Sequence, residues 1–243
     1  MKAIILAGGK GTRLAPYTTV LPKPLMPIDD MPILEIVLRQ MARYGFKDVT
    51  LAVGYLAELL MAYCGDGSKF GVRVDYSREE NPLGTAGPIA LVPNLDDTFL
   101  VMNGDLLTTL NYGEMYRYHK ERKAIATLAT YPREVKIDLG VIDIDNAGWV
   151  KDYIEKPTYK YAVSTGVYIF EPEVLEFITP NQHLDLPELV MRLKSQGNSV
   201  NVYRFDGYWL DIGRHDDYEM AVQEFLAHRD EFLPEYDSGN KGI

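Results

Sequence analysis

The 243-residue chain has a single cysteine, Cys64, so it can form neither an intrachain disulfide nor a thiolate metal cluster. No apolar run approaches the ~20 residues that a membrane-spanning helix needs. One lysine and then a strand-like run open the chain, with no small-residue cleavage pattern behind them, so no signal peptide is expected. The expected setting is cytoplasmic, with no membrane partner. Positive charge is also scarce: 25 Lys and Arg face 35 Asp and Glu, a net charge of −10. That balance weighs against nucleic acid as a partner. Small anionic substrates stay open, because a site for them needs only a few local cations. His119, His183 and His228 lie in polar stretches without zinc-ligand spacing and read as surface side chains. There is no internal repeat and no low-complexity linker. Apolar content of 47% and a length suited to one α/β domain allow a large core.

What the chain does have begins at once. The apolar run Ala3-Ile4-Ile5-Leu6-Ala7 empties into Gly8-Gly9-Lys10-Gly11-Thr12-Arg13-Leu14, and Pro22-Lys23-Pro24 follows. A buried strand ending in such a turn can lay backbone N–H groups against a polyphosphate, with Arg13 and Lys23 beside it. A dinucleotide fingerprint wants a third small residue where Leu14 stands, and a helix running straight on. Pro16, Pro22, Pro24 and Pro27 rule out one regular helix there. A Walker loop is absent, since no Gly-Lys-Thr/Ser follows at the needed spacing.

Strand and helix patterns alternate through the first half. Strands are predicted at Lys2–Ala7, Val49–Val53, Val72–Ser77 and Thr98–Asn103. Helices are predicted at Ile33–Tyr44, Leu56–Cys64, Thr85–Val92 and Tyr112–Arg122. This order implies parallel strands with right-handed crossovers. The second half reads as strands at Ala124–Thr130, Gly140–Ile144, Val150–Glu155, Ser164–Phe170, Val200–Arg204 and Gly207–Leu210. Helices are expected at Leu186–Gln196 and Asp216–His228. The expectation is a parallel half fused to a more antiparallel half in one sheet, with a loose acidic tail over 234–243.

Two carboxylates stand out. Asp105 follows Gly104 at the end of a buried strand, where ligands of open α/β sheets gather. Asp211 is the lone acid in Trp209-Leu210-Asp211-Ile212-Gly213. Asp105 could simply cap a helix; as a pair beside a phosphate loop the two acids are candidate Mg²⁺ ligands, because Mg²⁺ takes one or two carboxylates plus substrate phosphates. Glu155-Lys156-Pro157 ends a strand, and its proline enforces an extended or turn conformation. It reads either as a solvent-exposed ion pair or as two side chains dividing work between opposite faces.

Seven motifs in order resemble the sugar-1-phosphate nucleotidylyltransferases. They are the glycine loop, Pro22-Lys23-Pro24, Leu83-Gly84-Thr85-Ala86-Gly87, Gly104-Asp105, Glu155-Lys156-Pro157, Thr165-Gly166-Val167-Tyr168 and Trp209-Leu210-Asp211-Ile212-Gly213. The match runs from Met1 to about Ala221 and is most similar to the mannose-1-phosphate guanylyltransferase-like branch, here without a C-terminal β-helix. The resemblance implies a Rossmann-like, GT-A-like α/β three-layer sandwich. Its central sheet would be mixed and mostly parallel, with a more antiparallel sugar-binding lobe. The implied units are a nucleotide-binding lobe over about 1–123, a sugar-binding lobe over 124–215 and a closing helix over 216–233.

The implied reaction joins an NTP and a sugar 1-phosphate into an NDP-sugar and pyrophosphate, with Mg²⁺ as cofactor. By resemblance, Leu6, Gly8, Gly9, Gly11, Thr12, Arg13, Lys23, Glu79, Gly84 and Thr85 bind the nucleotide. Gly140, Glu155, Lys156, Ser164 and Gly166 bind the sugar phosphate, and Asp105 and Asp211 hold the metal. Arg13, Lys23 and Lys156 are the catalytic cations. Glu79 stands where uridylyl relatives usually carry Gln, which favours GTP. Ser164 replaces a common Asn, leaving mannose, glucose or heptose open, and Arg214-His215 replaces the usual Thr-Pro. The rival expectations are a catalytically silent nucleotide-sugar-binding regulatory subunit and an NDP-sugar glycosyltransferase using Asp143-Ile144-Asp145. Association into homo-oligomers is compatible with either.

Overall fold

A computed structural model describes residues 1–233, so the tail expected over 234–243 lies outside the described residues. The strands in chain order are β1 (Lys2–Ala7), β2 (Pro27–Ile28), β3 (Met31–Pro32), β4 (Asp48–Val53), β5 (Arg73–Arg78), β6 (Phe99–Asn103) and β7 (Leu106–Thr108). They continue with β8 (Ala126–Lys136), β9 (Val141–Ile144), β10 (Val150–Ile154), β11 (Thr158–Phe170), β12 (Val200–Arg204) and β13 (Trp209–Asp211). The helices are α1 (Ile33–Arg43), α2 (Ala57–Cys64), α3 (Tyr112–Arg122), α4 (Leu186–Ser195), α5 (His215–Ala227) and α6 (Arg229–Phe232).

Seven strands form one sheet in the order β12-β8-β11-β6-β1-β4-β5. β1 is central because it is apolar on both faces, as a strand covered on two sides needs to be. Ala3, Ile5 and Ala7 pack on one side with Leu34, Val37 and Met41 of α1 and Leu60 and Cys64 of α2. Ile4 packs on the other, with Ile89, Phe170 and Leu189. The result is a helix–sheet–helix sandwich. β6, β1, β4 and β5 run parallel. The order reverses at β11, which is antiparallel to both β6 and β8. The sheet is therefore mixed, with a parallel half and a more antiparallel half. No helix of the described residues is long and apolar enough to cross a membrane.

Several elements differ from the expectation. The helix expected over Thr85–Val92 is only a 3₁₀ stretch, Gly87–Leu91. Backbone N–H groups of Ala86 and Gly87 donate instead to Leu184 O at 2.8 and 3.1 Å, tying this turn to the segment before α4. β8 and β11 run well past the expected strands, pairing Thr158 with Lys136 at their outer end. The closing helix starts at His215, and a further turn, α6, follows it. Gln40 Nε2 donates to Thr108 O at 2.9 Å and Phe232 O at 3.1 Å, tying that turn to the interior.

His119 is not a surface residue. Its side chain is fully buried on α3, 2.8 Å from Thr127 Oγ1 and 3.3 Å from Glu171 Oε1. Lys120 Nζ donates to the same Glu171 oxygen at 2.9 Å and to Thr98 Oγ1 at 2.7 Å. Burial is the largest influence on His119 and lowers its pKa. Burial also pushes on Glu171, upward, but hydrogen bonds from Thr98 and Lys120 outweigh it and leave that carboxyl below its usual range.

Candidate active site

Backbone order places the phosphate loop. β1 stops at Ala7, and a 3₁₀ turn at Thr12–Leu14 follows, with Thr18 Oγ1 donating to Gly11 O at 2.8 Å. The loop opens a cleft of about 1100 Å³ along the carboxyl ends of β1, β4, β5 and β6. All ten residues assigned to the nucleotide line it, and so does Asp105. A β-carbon at Gly8 would displace the Glu79 carboxylate. Gly84 has φ +77°, and a β-carbon would stand 2.6 Å from Leu184 O.

The cleft has two ends. Asp105, Lys23 and Arg13 occupy the β1–β6 end. Glu79, Gly84 and Thr85 follow β5, three strand spacings from β6, or about 14 Å across the sheet. At the first end, the Lys23 ammonium donates to Asp105 Oδ2 and lies 3.8 Å from Asp211 Oδ1. Lys23 is buried, with 9% of its side chain exposed. The two acids are neighbours by strand pairing: β13 runs antiparallel to β7 with Asp211 opposite Leu106, and Ile212 N–H donates to Asp105 O at 3.2 Å. Burial raises the Asp211 pKa, and Asp105 raises it further; Lys23 and Arg13 pull it down. The Arg13 guanidinium rests against Gly213, where a β-carbon would stand 3.2 Å from it. His215 Nε2 donates to Ala15 O at 3.1 Å, with its ring 5.6 Å from that of Tyr17.

Asp105 Oδ1 is buried with no hydrogen-bond partner. A buried carboxylate oxygen left this way is costly unless a cation reaches it. Two carboxylates with only oxygen donors suit a hard divalent ion such as Mg²⁺. Among the described residues no set of three or more His, Cys, Asp or Glu converges as a metal site, so further ligands would come from substrate and water. The residues present fit Mg²⁺ on those terms.

At the second end, Glu79 Oε2 accepts the Leu83 N–H at 2.9 Å, leaving Oε1 beside Gly8 and Gly54. Thr85 is fully engaged. Its N–H and hydroxyl donate to Asp185 Oδ1 at 3.0 and 3.2 Å, and its oxygen accepts the Leu186 N–H at 2.8 Å.

The residues assigned to the sugar phosphate do not line the cleft and form two groups. Ser164 Oγ lies 3.0 Å from the Tyr168 hydroxyl, and Gly166, at φ +77°, packs against Asn103 of the cleft wall. Gly140 sits beside Glu155, whose Oε2 accepts the Tyr153 hydroxyl at 3.1 Å. Lys156, at φ +46°, is exposed between β10 and β11. Six strand steps from Thr158 to Ser164, about 20 Å, separate the two groups. Asn103, Arg78 and His183 also line the cleft and were not among the predicted site residues. Asn103 was within reach of the sequence, since it precedes Gly104-Asp105; His183 carried no sequence signal.

Fold and cleft together define a Rossmann-like α/β protein with a glycine-loop cleft at the carboxyl edge of its parallel strands. The nucleotidyl transferase family model matches residues 2–228. The chain belongs to that family. It is 38% identical over 247 residues to a UTP–glucose-1-phosphate uridylyltransferase of Synechocystis, covering 93% of this chain and 64% of the relative. It is 32% identical over 244 residues to the mannose-1-phosphate guanylyltransferase catalytic subunit beta of Xenopus tropicalis, covering 97% and 68%. The chain thus spans about two thirds of the length of these curated relatives. Among solved structures, HddC from Yersinia pseudotuberculosis superposes with a TM-score of 0.71 at 25% identity, covering 92% of this chain and 99% of that one. The same protein complexed with GMP-PN superposes with a TM-score of 0.69.

Proposed function

We propose that the protein transfers a nucleoside monophosphate from an NTP, GTP favoured, to a mannose-, glucose- or heptose-type sugar 1-phosphate, releasing pyrophosphate. The observation that carries this reading is the convergence of all ten nucleotide-assigned residues and Asp105 on one cleft. A phosphate oxygen of the sugar phosphate attacks the α-phosphorus, and the bond to the β-phosphate oxygen breaks in line. The nucleophile is already ionised at neutral pH, so no general base is needed. The main obstacle is repulsion between two polyanions, and the protein's work is alignment and neutralisation.

Arg13, steadied against Gly213, takes the leaving pyrophosphate, and Lys23 takes the α-phosphate. Asp105 and Asp211 would hold Mg²⁺, which would supply positive charge to offset the phosphates. Lys156 holds the sugar phosphate, a contact that depends on its turn approaching the cleft. Ser164 and Gly166, beside Tyr168 and Asn103, border the sugar, and Gly140 and Glu155 share with Lys156 the dependence on that turn. The lone, buried thiol of Cys64 suits a reducing cytoplasmic setting.

Glu79 favours guanine. Its carboxylate suits the adjacent N1–H and N2–H donors, with Oε1 free and Oε2 shared with the Leu83 N–H, whereas uracil and thymine offer one imide donor flanked by acceptors. The HddC complex with GMP-PN supports a guanine nucleotide, and the Synechocystis relative is the uridylyl counterweight. A matrix of NTPs against sugar 1-phosphates with Mg²⁺, read by pyrophosphate release, tests the reaction. Glu79→Gln is expected to shift the GTP/UTP preference roughly tenfold toward UTP. Pyrophosphate from no pairing would end the proposal, and an unmoved preference would end the guanine assignment.

A further inference from the structure

Resting on the nucleotide reading above, we propose that His183 is a specificity-determining residue that contacts the base of the bound NTP. Three observations lead there. First, Thr85, one of the residues assigned to the nucleotide, has its N–H and hydroxyl donating to Asp185 and its hydroxyl oxygen accepting from Leu186. Second, the segment that occupies it is locked to the Leu83–Gly87 turn. Leu184 N–H donates to Leu83 O at 3.0 Å, and Leu184 O accepts from Ala86 and Gly87. Third, His183 lies within that segment, and its side chain, exposed, lines the cleft beside Gly84 and Thr85.

The position fixes the part of the ligand. Asp105, Lys23 and Arg13 hold the phosphate end at β1 and β6. His183 stands with the residues after β5, about 14 Å away across three strand spacings. An imidazole there offers a flat ring face, one N–H donor and one acceptor, which match a heterocycle rather than a polyphosphate. It complements Glu79, which can only accept from the base, by adding a donor for a ring carbonyl or nitrogen.

The test measures binding of GTP–Mg²⁺ and of inorganic tripolyphosphate by calorimetry, without sugar phosphate, so that no turnover intervenes. His183→Ala is expected to weaken GTP roughly three- to tenfold, the worth of one hydrogen bond or ring contact, and to leave tripolyphosphate unchanged. His183→Asn, which keeps a donor and an acceptor, is expected to recover part of the loss. The thermal midpoint, read alongside, is expected to stay at the wild-type value. Unchanged GTP affinity in His183→Ala overturns the proposal. A parallel loss for both ligands also overturns it, because that would mark a displaced loop. A wild-type protein that binds tripolyphosphate but no nucleotide overturns the functional reading itself, and this contact with it.

Discussion

Lys23 combines two tasks in one side chain. Its ammonium compensates Asp105 and faces Asp211, at the same end of the cleft where it would meet the α-phosphate. Removing it leaves the half-buried Asp105 carboxylate without its nearest counter-charge, and breaking such a pair costs more than the pair contributes. Lys23→Met is therefore expected to lower unfolding free energy by about 3 kcal/mol in urea titrations. Asp105→Asn should behave differently. The amide keeps the shape and Asp211, 3.8 Å from the ammonium, still offsets Lys23, so the fold should persist with a lowered thermal midpoint while turnover falls on the order of a hundredfold or more. Near-normal pyrophosphate release from that variant would remove Asp105 from the metal site. Both residues were legible from sequence, because an acid ending an apolar strand and a lysine between two prolines are conspicuous. His119 was misread for the opposite reason. Its helix, Tyr112–Arg122, is polar in sequence, and the groups that make the site habitable, Thr127 and Glu171, arrive from β8 and from the residue after β11.

At the scale of elements, segments with regular periodicity were reliable guides, the polar α3 included, and exposed charged strands were not. β1, β12 and α3 stand at the expected boundaries. The outer halves of β8 and β11 were missed because their residues are exposed and charged, held by backbone pairing and cross-strand contacts such as Lys160 with Glu134 at 2.9 Å. β2 and β3 hid in a proline-rich stretch. The link between Thr85 and α4 was invisible, since its partners are about a hundred residues apart. Asp185 precedes α4 but does not cap it; the oxygen of Thr85 takes the Leu186 N–H instead. Thr85→Val removes that acceptor, and losing a cap typically costs ~1 kcal/mol. The expected outcome is a stability loss of that size, with faster amide exchange at Leu186. Unchanged exchange there would show that the cap is energetically idle.

Across the whole molecule, the buried cluster around His119 sets an acid limit. His119 has a folded pKa below its ordinary 6.5, so the unfolded chain binds the extra proton first as pH falls. Stability from this group is complete above about 6.5 and declines as pH drops below it. Glu171, also lowered, adds a second loss as pH falls below the usual carboxylate range. Both act in the same direction. Unfolding free energy is expected to fall between pH 7 and 5, and His119→Gln should flatten that slope by removing the first component. An equal slope in the variant would assign the acid sensitivity elsewhere.

The pairing of β7 with β13 carries a last consequence. Because Leu106 faces Asp211 across a three-residue ladder, the gap between the two carboxylates is set by counting main-chain rungs. Around a hundred residues of intervening chain have no say in it. Extra length spliced into the exposed Asp145–Gly148 bend is expected to leave that gap as it was. One residue added within Leu106–Thr108 would slip that ladder by one rung and turn Asp105 away from Asp211.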